Sequence, residues 1–282
     1  MKNSKSRPFS VANKRTKLKV GLVQYNIANN PEKNLKTIFT HLKTCLKQKP
    51  HFIVLPEMAL GSPANKKEAK KWGQIYKKTL PSLQNWCATH KTGLVFFGME
   101  EKNSRFYNAC FWITPKGHIQ NRYHKIHLFS FGGEHHIYSF GGQPAVTPSP
   151  WGPMGFAVCY DIRFPELLRA LTFKGAKIIV VGAQWPSVRI HHWLGLLTSR
   201  AIENQVYIIG CNRTGRKKGL KFNGQSVVIG PWGRILLQMP AKQSTSVTMI
   251  NLNTVDILRK KYPFLKEARL MGGSLSKKPF RP

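Results

Sequence analysis

Short apolar runs alternate along this chain with segments in which apolar residues recur at helical spacing. Runs rich in β-branched or aromatic residues are predicted as strands at 19–24, 52–56, 93–98, 109–114, 155–160, 177–182, 207–211, 226–230 and 247–251. Between them, two segments carry apolar residues on one helical face: Leu35, Ile38, Phe39, Leu42 and Leu46, and then Trp193, Leu196, Leu197 and Ile202. This alternation predicts a layered α/β architecture.

Two turn sequences add antiparallel hairpins to that pattern. PKG at 115–117 and PWG at 231–233 each lie between predicted strands, so the sheets are expected to be mixed. We find no internal repeat and no low-complexity stretch. The predicted organisation is one domain over 18–282 with an extended C-terminal end, preceded by a basic disordered or extended tail at 1–17.

The chain is strongly basic. It has 45 Lys and Arg against 11 Asp and Glu, a formal net charge of +34. Such a charge fits attraction to nucleic acid or to an anionic surface, and it fits equally a solvated basic surface without a specific ligand. The basic residues are scattered, and no RNP, zinc-finger or helix-turn-helix signature accompanies them, which favours the second interpretation. Nucleic-acid binding stays open.

The cysteines and histidines indicate neither disulfides nor a metal. Five widely spaced cysteines without a CxxC pair argue against a disulfide framework or a structural zinc site and indicate a reducing, cytoplasmic compartment. The pairs His135–His136 and His191–His192 lack HExxH spacing, so no metal is expected. No apolar run is long enough to predict a membrane span. An organellar presequence stays open because the N-terminal tail is free of acidic residues.

One segment presents a cysteine where a strand meets a helix. In GFAVCYDIRFPELLRAL the apolar run stops at Cys159, turns, and restarts as a helix near Pro165. At such a corner the sulfur is exposed, backbone N–H groups can face a developing oxyanion, and the helix end can favour a thiolate. The same pattern also fits a buried structural cysteine at the end of a core strand.

Two further residues could serve chemistry or be ordinary surface charges. Glu57 in HFIVLPEMAL follows a strand at the end where α/β sheets bind ligands, and its carboxylate could exchange protons with a thiol and a leaving amine. Lys125 in RYHKIHLF adjoins an apolar and aromatic run and could stabilise negative charge in a tetrahedral intermediate. Taken alone, each residue is better explained as a solvated surface charge.

Taken together, the strand ending PE, the K-x-H-L-F segment and CYD-x-R-FPE closely resemble the nitrilase, or carbon-nitrogen hydrolase, superfamily. The resemblance covers nearly the whole chain, from VGLVQYNI to the FNGQSVVIGPWG hairpin. The runs KIHLFSFGGEHHIYSFGG, AQWPSVRIHHW and RAIENQVYIIGCNRTG are similar to the bacterial omega-amidase branch. That branch hydrolyses the side-chain amide of 2-oxo diacid monoamides such as 2-oxoglutaramate and 2-oxosuccinamate.

The resemblance implies a four-layer αββα sandwich, a homodimer and cofactor-free amide hydrolysis with water. It makes Glu57 the general base, Lys125 the oxyanion stabiliser, Cys159 the nucleophile that forms a thioester, and Glu134 a second structural or catalytic glutamate. The backbone N–H of Tyr160 would share the oxyanion hole with Lys125. Other members of the superfamily act on deaminated glutathione, N-carbamoyl amines or nitriles, so another substrate on the same triad stays open.

The residues that bind the rest of the substrate are less clearly marked. Arg163 is a candidate receptor for the substrate carboxylate, although it could equally pair with Asp161 and support the turn. Trp185 matches a family aromatic near the pocket, although an aromatic after a core strand often serves packing. The stretch MALGSPANKK after Glu57 departs from the branch pattern, so the pocket is expected to differ in detail.

Overall fold

A computed structural model of the protein describes residues 16–269. The predicted N-terminal tail and the last residues of the predicted C-terminal end lie outside this range, except that the first strand already begins at Lys17. The strands are β1 Lys17–Gln24, β2 Phe52–Val54, β3 Gly93–Lys102, β4 Arg105–Ile113, β5 Ile119–His124, β6 Val146–Thr147, β7 Met154–Val158, β8 Ile178–Ala183, β9 Tyr207–Asn212, β10 Thr214–Lys217, β11 Leu220–Asn223, β12 Val227–Ile229, β13 Ile235–Gln238 and β14 Ser244–Asn251. The α-helices are α1 Pro31–Leu46, α2 Ala69–His90, α3 Pro165–Phe173, α4 Ile190–Asn204, α5 Asn253–Lys261 and α6 Phe264–Glu267.

The strands form two mixed six-stranded sheets. The first has the order β14-β1-β2-β3-β4-β5, with β1, β2 and β3 parallel and the other pairs antiparallel. The second has the order β13-β12-β9-β8-β7-β6, with β7, β8 and β9 parallel. Strands β10 and β11 form a separate hairpin. The expectation of mixed sheets is confirmed.

The two sheets pack face to face, and helices cover their outer faces. Helices α1 and α2 lie against the first sheet, and α3 and α4 against the second, while β1 and β4 contact β9 and β7 across the interface. The parallel central strands are buried on both faces. For this reason their sequences are continuous apolar runs and do not alternate between apolar and polar residues. The fold is therefore the expected four-layer αββα sandwich.

Local sequence signals set the first helix. The side chain of Asn30 accepts a hydrogen bond from the Lys33 N–H, and Pro31 occupies the first turn, where its missing N–H costs nothing. Apolar residues at helical spacing, among them Ile38 and Leu42, are buried against the sheet. The second predicted helical face holds for Trp193 and Leu197, but its last member, Ile202, is exposed.

All nine predicted strands coincide with observed strands to within a few residues. The sequence pattern missed the helices α2, α5 and α6 together with the short strands β5, β6, β10, β11 and β13. Helix α2 carries several lysines and an internal proline, Pro81, so its apolar residues did not stand out as one face. The charged β10–β11 hairpin was missed because it lacks the apolar content that is typical of a strand.

Candidate active site

Cys159 lies where β7 of the second sheet gives way to a turn. The turn, Cys159–Arg163, leads into α3, and Cys159 itself has φ +46°, a conformation that L residues seldom adopt. Buried Asp161 holds the turn in place. Its carboxylate accepts hydrogen bonds from the Val158 N–H at 2.9 Å, the Tyr123 hydroxyl at 2.7 Å and the His127 N–H at 2.9 Å. These three bonds fix the corner that presents the sulfur.

Glu57 follows β2 of the first sheet and is buried, with 4% of its surface exposed. Three donors hold its carboxylate. Lys125 Nζ lies 3.0 Å and Asn108 Nδ2 2.8 Å from Oε1, and the backbone N–H of Gln184 donates to Oε2 at 2.9 Å. The Gln184 side-chain amide also donates to the backbone carbonyl of Glu57 at 3.0 Å. Because Gln184 follows β8, this contact ties the two sheets together at the site.

Lys125 lies between two carboxylates. Its side chain is only 1% exposed, and Nζ is 3.0 Å from Glu57 Oε1 and 2.9 Å from Glu134 Oε2. Glu134 reaches this position from a turn that begins after Gly133, and its Oε2 also accepts the Phe129 N–H at 2.8 Å. A buried ammonium needs such partners, because an uncompensated charge away from water is very costly.

These contacts separate the acid strengths of the two carboxyl groups. Burial would raise the pKa of Glu57, but the Lys125 ammonium and the hydrogen bonds from Lys125 and Asn108 hold it below its usual value, with help from the Cys159 thiol. The pKa of Glu134 is raised, because burial and the nearby Glu57 charge outweigh Lys125. Glu57 is therefore the stronger acid of the two.

The thiol and the ammonium are shifted as well. Burial, followed by the Glu57 charge, raises the pKa of Cys159 well above its usual value, so the resting sulfur is a protonated thiol. Burial alone would lower the pKa of Lys125, but the Glu134 and Glu57 carboxylates raise it well above normal. Lys125 therefore stays charged throughout the neutral range, and proton transfer at this site involves the thiol and Glu57.

Glu57, Lys125, Glu134 and Cys159 all line one cavity of about 740 Å³. Its wall also contains Trp72, Phe129 and Tyr138 on the apolar side and Gln184, Ser62, Arg216, Lys217 and Lys218 on the polar side. Exposed Arg216 and Lys218 lie at its rim, so the cavity reaches the surface at the β10–β11 hairpin. A short polar molecule could enter there and place a carbonyl group beside the sulfur.

None of the three residues predicted to bind the substrate, Tyr160, Arg163 and Trp185, has a side chain that lines the cavity. The Arg163 guanidinium lies over the Trp185 ring, 4.9 Å from its centroid, and 3.4 Å from His192 Nδ1, in a separate shallow groove. Trp185 is buried, and its indole N–H donates to the Arg189 carbonyl at 2.7 Å. The Tyr160 ring packs on Phe129 outside the cavity, so only the Tyr160 backbone could serve the reaction.

Sequence reasoning missed three residues of the site. Asn108 lies within β4, and nothing in the sequence distinguishes it from an ordinary polar residue of a strand. Gln184 directly follows β8, a position at the carboxyl end of a parallel strand that could have been noticed. Lys217 is one of many lysines, and only the fold shows that it lines the cavity.

The described residues contain no group of three or more His, Cys, Asp or Glu side chains arranged to hold a metal ion. Within the same range, 16–269, no helix combines the length and apolar character needed to cross a bilayer. The cysteines at 45, 87, 110, 159 and 211 are free thiols. The groups that meet at Cys159 are its own thiol, the carboxyl groups of Glu57 and Glu134 and the ammonium of Lys125.

A four-layer αββα sandwich with a cysteine, a glutamate and a lysine at the carboxyl ends of its strands defines a carbon-nitrogen hydrolase. The sequence profile described as carbon-nitrogen hydrolase matches residues 19–260. The chain therefore belongs to the carbon-nitrogen hydrolase family.

Two of the relatives that this chain resembles are named as amidases. The chain is 36% identical over 168 residues to a 2-oxoglutaramate amidase of Bacillus subtilis, a match that spans 60% of this chain and 65% of that relative, less than two thirds of its length. It is 31% identical over 252 residues to a deaminated glutathione amidase of Synechocystis, covering 84% of this chain and 93% of that protein.

Among solved structures, the fold is similar to that of a CN-hydrolase superfamily protein from Xanthomonas campestris, with a TM-score of 0.84. The two chains are 25% identical, and the match covers 92% of this chain and 99% of that one.

Proposed function

We propose that this protein hydrolyses the omega-amide of short 2-oxo diacid monoamides, such as 2-oxoglutaramate or 2-oxosuccinamate, and releases ammonia through a thioester on Cys159. One observation carries the proposal: Glu57, Lys125 and Glu134 surround the cavity into which Cys159 is presented. A neutral thiol beside an ionised carboxylate is the resting state that a proton-transfer mechanism needs.

In the first half of the reaction, the Cys159 thiol transfers its proton to Glu57 while the sulfur bonds to the amide carbon. The Lys125 ammonium, which is already charged and fixed, stabilises the oxyanion of the tetrahedral intermediate, together with the backbone N–H of Tyr160. The carbon-nitrogen bond then breaks, and Glu57 returns the proton to the leaving nitrogen. The products of this half are ammonia and the acyl thioester.

In the second half, a water molecule attacks the thioester carbon while Glu57 takes one of its protons. The carbon-sulfur bond breaks, the proton passes to the sulfur, and the carboxylic acid product leaves with the thiol restored. Every proton that Glu57 accepts is returned within the cycle. No organic cofactor or metal enters the proposed steps.

The identity of the amide is supported by relatives rather than by contacts to a substrate. A 2-oxoglutaramate amidase and a deaminated glutathione amidase both match this chain, and both names imply hydrolysis of an amide in a molecule that carries a carboxylate. Deaminated glutathione is the nearest alternative substrate, and N-carbamoyl amines and nitriles are further ones. A cytoplasmic location, supported by the free thiols, and a homodimer are part of the same proposal.

The decisive assay measures ammonia release from 2-oxoglutaramate, succinamate and deaminated glutathione by purified protein. We expect the highest kcat/KM for a 2-oxo diacid monoamide and a loss of at least about 1,000-fold in Cys159→Ala. Cys87→Ala is the matched control, because it removes a buried thiol of α2 that does not line the cavity, and it should retain activity. A folded wild-type protein that releases no ammonia from any short amide would contradict the proposal.

A further inference from the structure

The polar wall of the cavity holds a lysine that the proposed reaction does not use. Lys217 ends β10, and its side chain lines the same cavity as Cys159. Its Nζ atom donates hydrogen bonds to two neutral acceptors, Ser62 Oγ at 2.6 Å and Gln184 Oε1 at 3.5 Å. Among the ion pairs of residues 16–269, none involves Lys217. It is a half-buried cation whose counterion is not supplied by the described part of the chain.

The surroundings of Lys217 make its charge costly without a ligand. Burial, together with the nearby Arg213 and Lys218 charges, lowers the pKa of Lys217 to about 8, and the Glu57 and Glu134 carboxylates only partly oppose this shift. Arg213 is fully buried, and its guanidinium donates to the Ile27 carbonyl at 2.8 Å and to Gln184 Oε1, the oxygen that Lys217 also contacts, at 3.4 Å. An anion placed in the cavity would remove this cost, whereas a neutral ligand would not.

The position of Lys217 suits the far end of a short substrate. Gln184 links the two ends of the site: its side-chain oxygen faces Lys217, and its backbone N–H holds Glu57. A single residue, Gln184, therefore contacts both Glu57 and the Lys217 ammonium. Both ends of the site line the same cavity, which a short molecule with an amide at one end and a carboxylate at the other could occupy.

We propose that Lys217, with the Ser62 hydroxyl beside it, forms the subsite that binds the distal carboxylate of the substrate. This inference rests on the proposed function, in that it assumes the amide end is cleaved at Cys159. It assigns to the β10–β11 hairpin the role that the sequence had suggested for Arg163. Arg163 cannot take that role in this geometry, because it lies in the groove with His192, outside the cavity.

The subsite should make the enzyme selective for a negative charge. A carboxylate on Lys217 gains a charge-assisted hydrogen bond, whereas an amide of the same shape gains only a neutral one. Succinamate and succinamide form a suitable probe pair, because they have nearly the same shape and differ in charge at the far end. Loss of the Lys217 ammonium should weaken the binding of succinamate by about 10- to 100-fold and leave succinamide nearly unchanged.

The test uses binding, which does not require turnover. Calorimetric titration of succinamate and succinamide is carried out on Cys159→Ala and on the same protein with Lys217→Met added. Lys221→Met serves as the matched control, because Lys221 is an exposed lysine of the same hairpin that does not line the cavity. We expect Lys217→Met, and not Lys221→Met, to abolish the preference for succinamate. Equal effects of the two variants, or none from Lys217→Met, would overturn the proposal.

Steady-state kinetics on proteins with Cys159 intact separates the two proposals. If the wild type cleaves both amides and Lys217→Met leaves their kcat/KM ratio unchanged, the subsite is wrong and the amidase function stands. If no amide is cleaved but succinamate binding still depends on Lys217, the subsite stands and the proposed reaction is wrong. A rise of KM for succinamate with kcat within about twofold supports both, because it shows a residue that binds without entering the chemistry.

Discussion

Lys125 and Glu57 form a buried ion pair, with Nζ 3.0 Å from Oε1 and almost no exposure of either side chain. The pair does not stand alone, because Glu134 contacts the same ammonium at 2.9 Å. Two carboxyl groups thus share one cation, and Glu57, the one with the lower pKa, is the stronger acid and interacts with the Cys159 thiol. The stability of the site and its proton transfers depend on the same three residues.

Removing the cation should therefore damage folding as well as activity. Lys125→Met leaves Glu57 and Glu134 buried without a counterion, and we expect a loss of about 3–5 kcal/mol in the free energy of unfolding. The measurement is urea denaturation at neutral pH, with the linear extrapolation to water.

The double variant Lys125→Met/Glu134→Gln provides the control for that prediction. It removes one of the two carboxylates together with the cation, so it should recover part of the lost stability while remaining inactive, since the oxyanion stabiliser is still missing. A single variant as stable as the wild type, or a double variant less stable than the single one, would show that the charges are compensated in another way.

Asn108 should set the acid limit of the reaction. Its amide donates to Glu57 at 2.8 Å, and it is one of the groups that hold the pKa of that carboxyl group below its usual value. In Asn108→Ala this pKa rises, so the acidic limb of the kcat/KM profile should move to higher pH. Stability should shift in the same direction. Because its pKa is lowered in the folded protein, ionised Glu57 stabilises the fold above its ordinary pKa, and this stabilisation is lost as the pH falls through the lowered pKa. In Asn108→Ala the loss should begin at a higher pH.

Asn85→Ala is the control for Asn108→Ala, because Asn85 is an exposed residue of α2 at which alanine favours the helix. Its pH–rate profile should coincide with that of the wild type. An acidic limb that stays in place in Asn108→Ala would mean that Glu57 is not the group that titrates there.

The four cysteines other than Cys159 should not react with alkylating reagents in the native protein. Burial raises the pKa of Cys45, Cys87 and Cys211 to about 12 and that of Cys110 well above its usual value, and none of them is more than 1% exposed. Cys159 lines the cavity. Iodoacetamide should therefore alkylate one thiol per chain, faster as the pH rises, and mass spectrometry should find none modified in Cys159→Ala. Modification of two or more thiols without denaturant would contradict this arrangement.

Much of the site could be read from the sequence because its signals are local. Cys159 and Glu57 each follow a buried strand, and the strand ends of an α/β sheet converge on one edge. Asn108 and Lys217 could not be found in this way, because Asn108 acts through a contact between strands and Lys217 through a hairpin that folds over the cavity. Arg163 shows the opposite case: it is close to Cys159 in sequence, but the turn directs it to another face.

The charge of Lys217 gives the substrate preference a pH dependence. Its pKa is lowered to about 8, so its ammonium loses its proton over a range where the ammonium of an ordinary lysine remains charged. As the pH rises through this value, KM for succinamate should increase while KM for succinamide stays constant. The groups that face it are Arg213 and Lys218, which keep its pKa low, and Glu57 and Glu134, which oppose them.

A bound carboxylate adds a negative charge beside Lys217 and should raise its pKa, so binding near pH 8 should take up protons. Calorimetry of succinamate binding to Cys159→Ala, repeated in buffers of different ionisation enthalpy, measures this uptake directly. It should approach zero near pH 6, where Lys217 is already charged, and disappear at pH 8 in Cys159→Ala/Lys217→Met. Uptake that persists in this double variant would assign the titration to another group, because the neutral Met side chain can neither hold the proton nor release it.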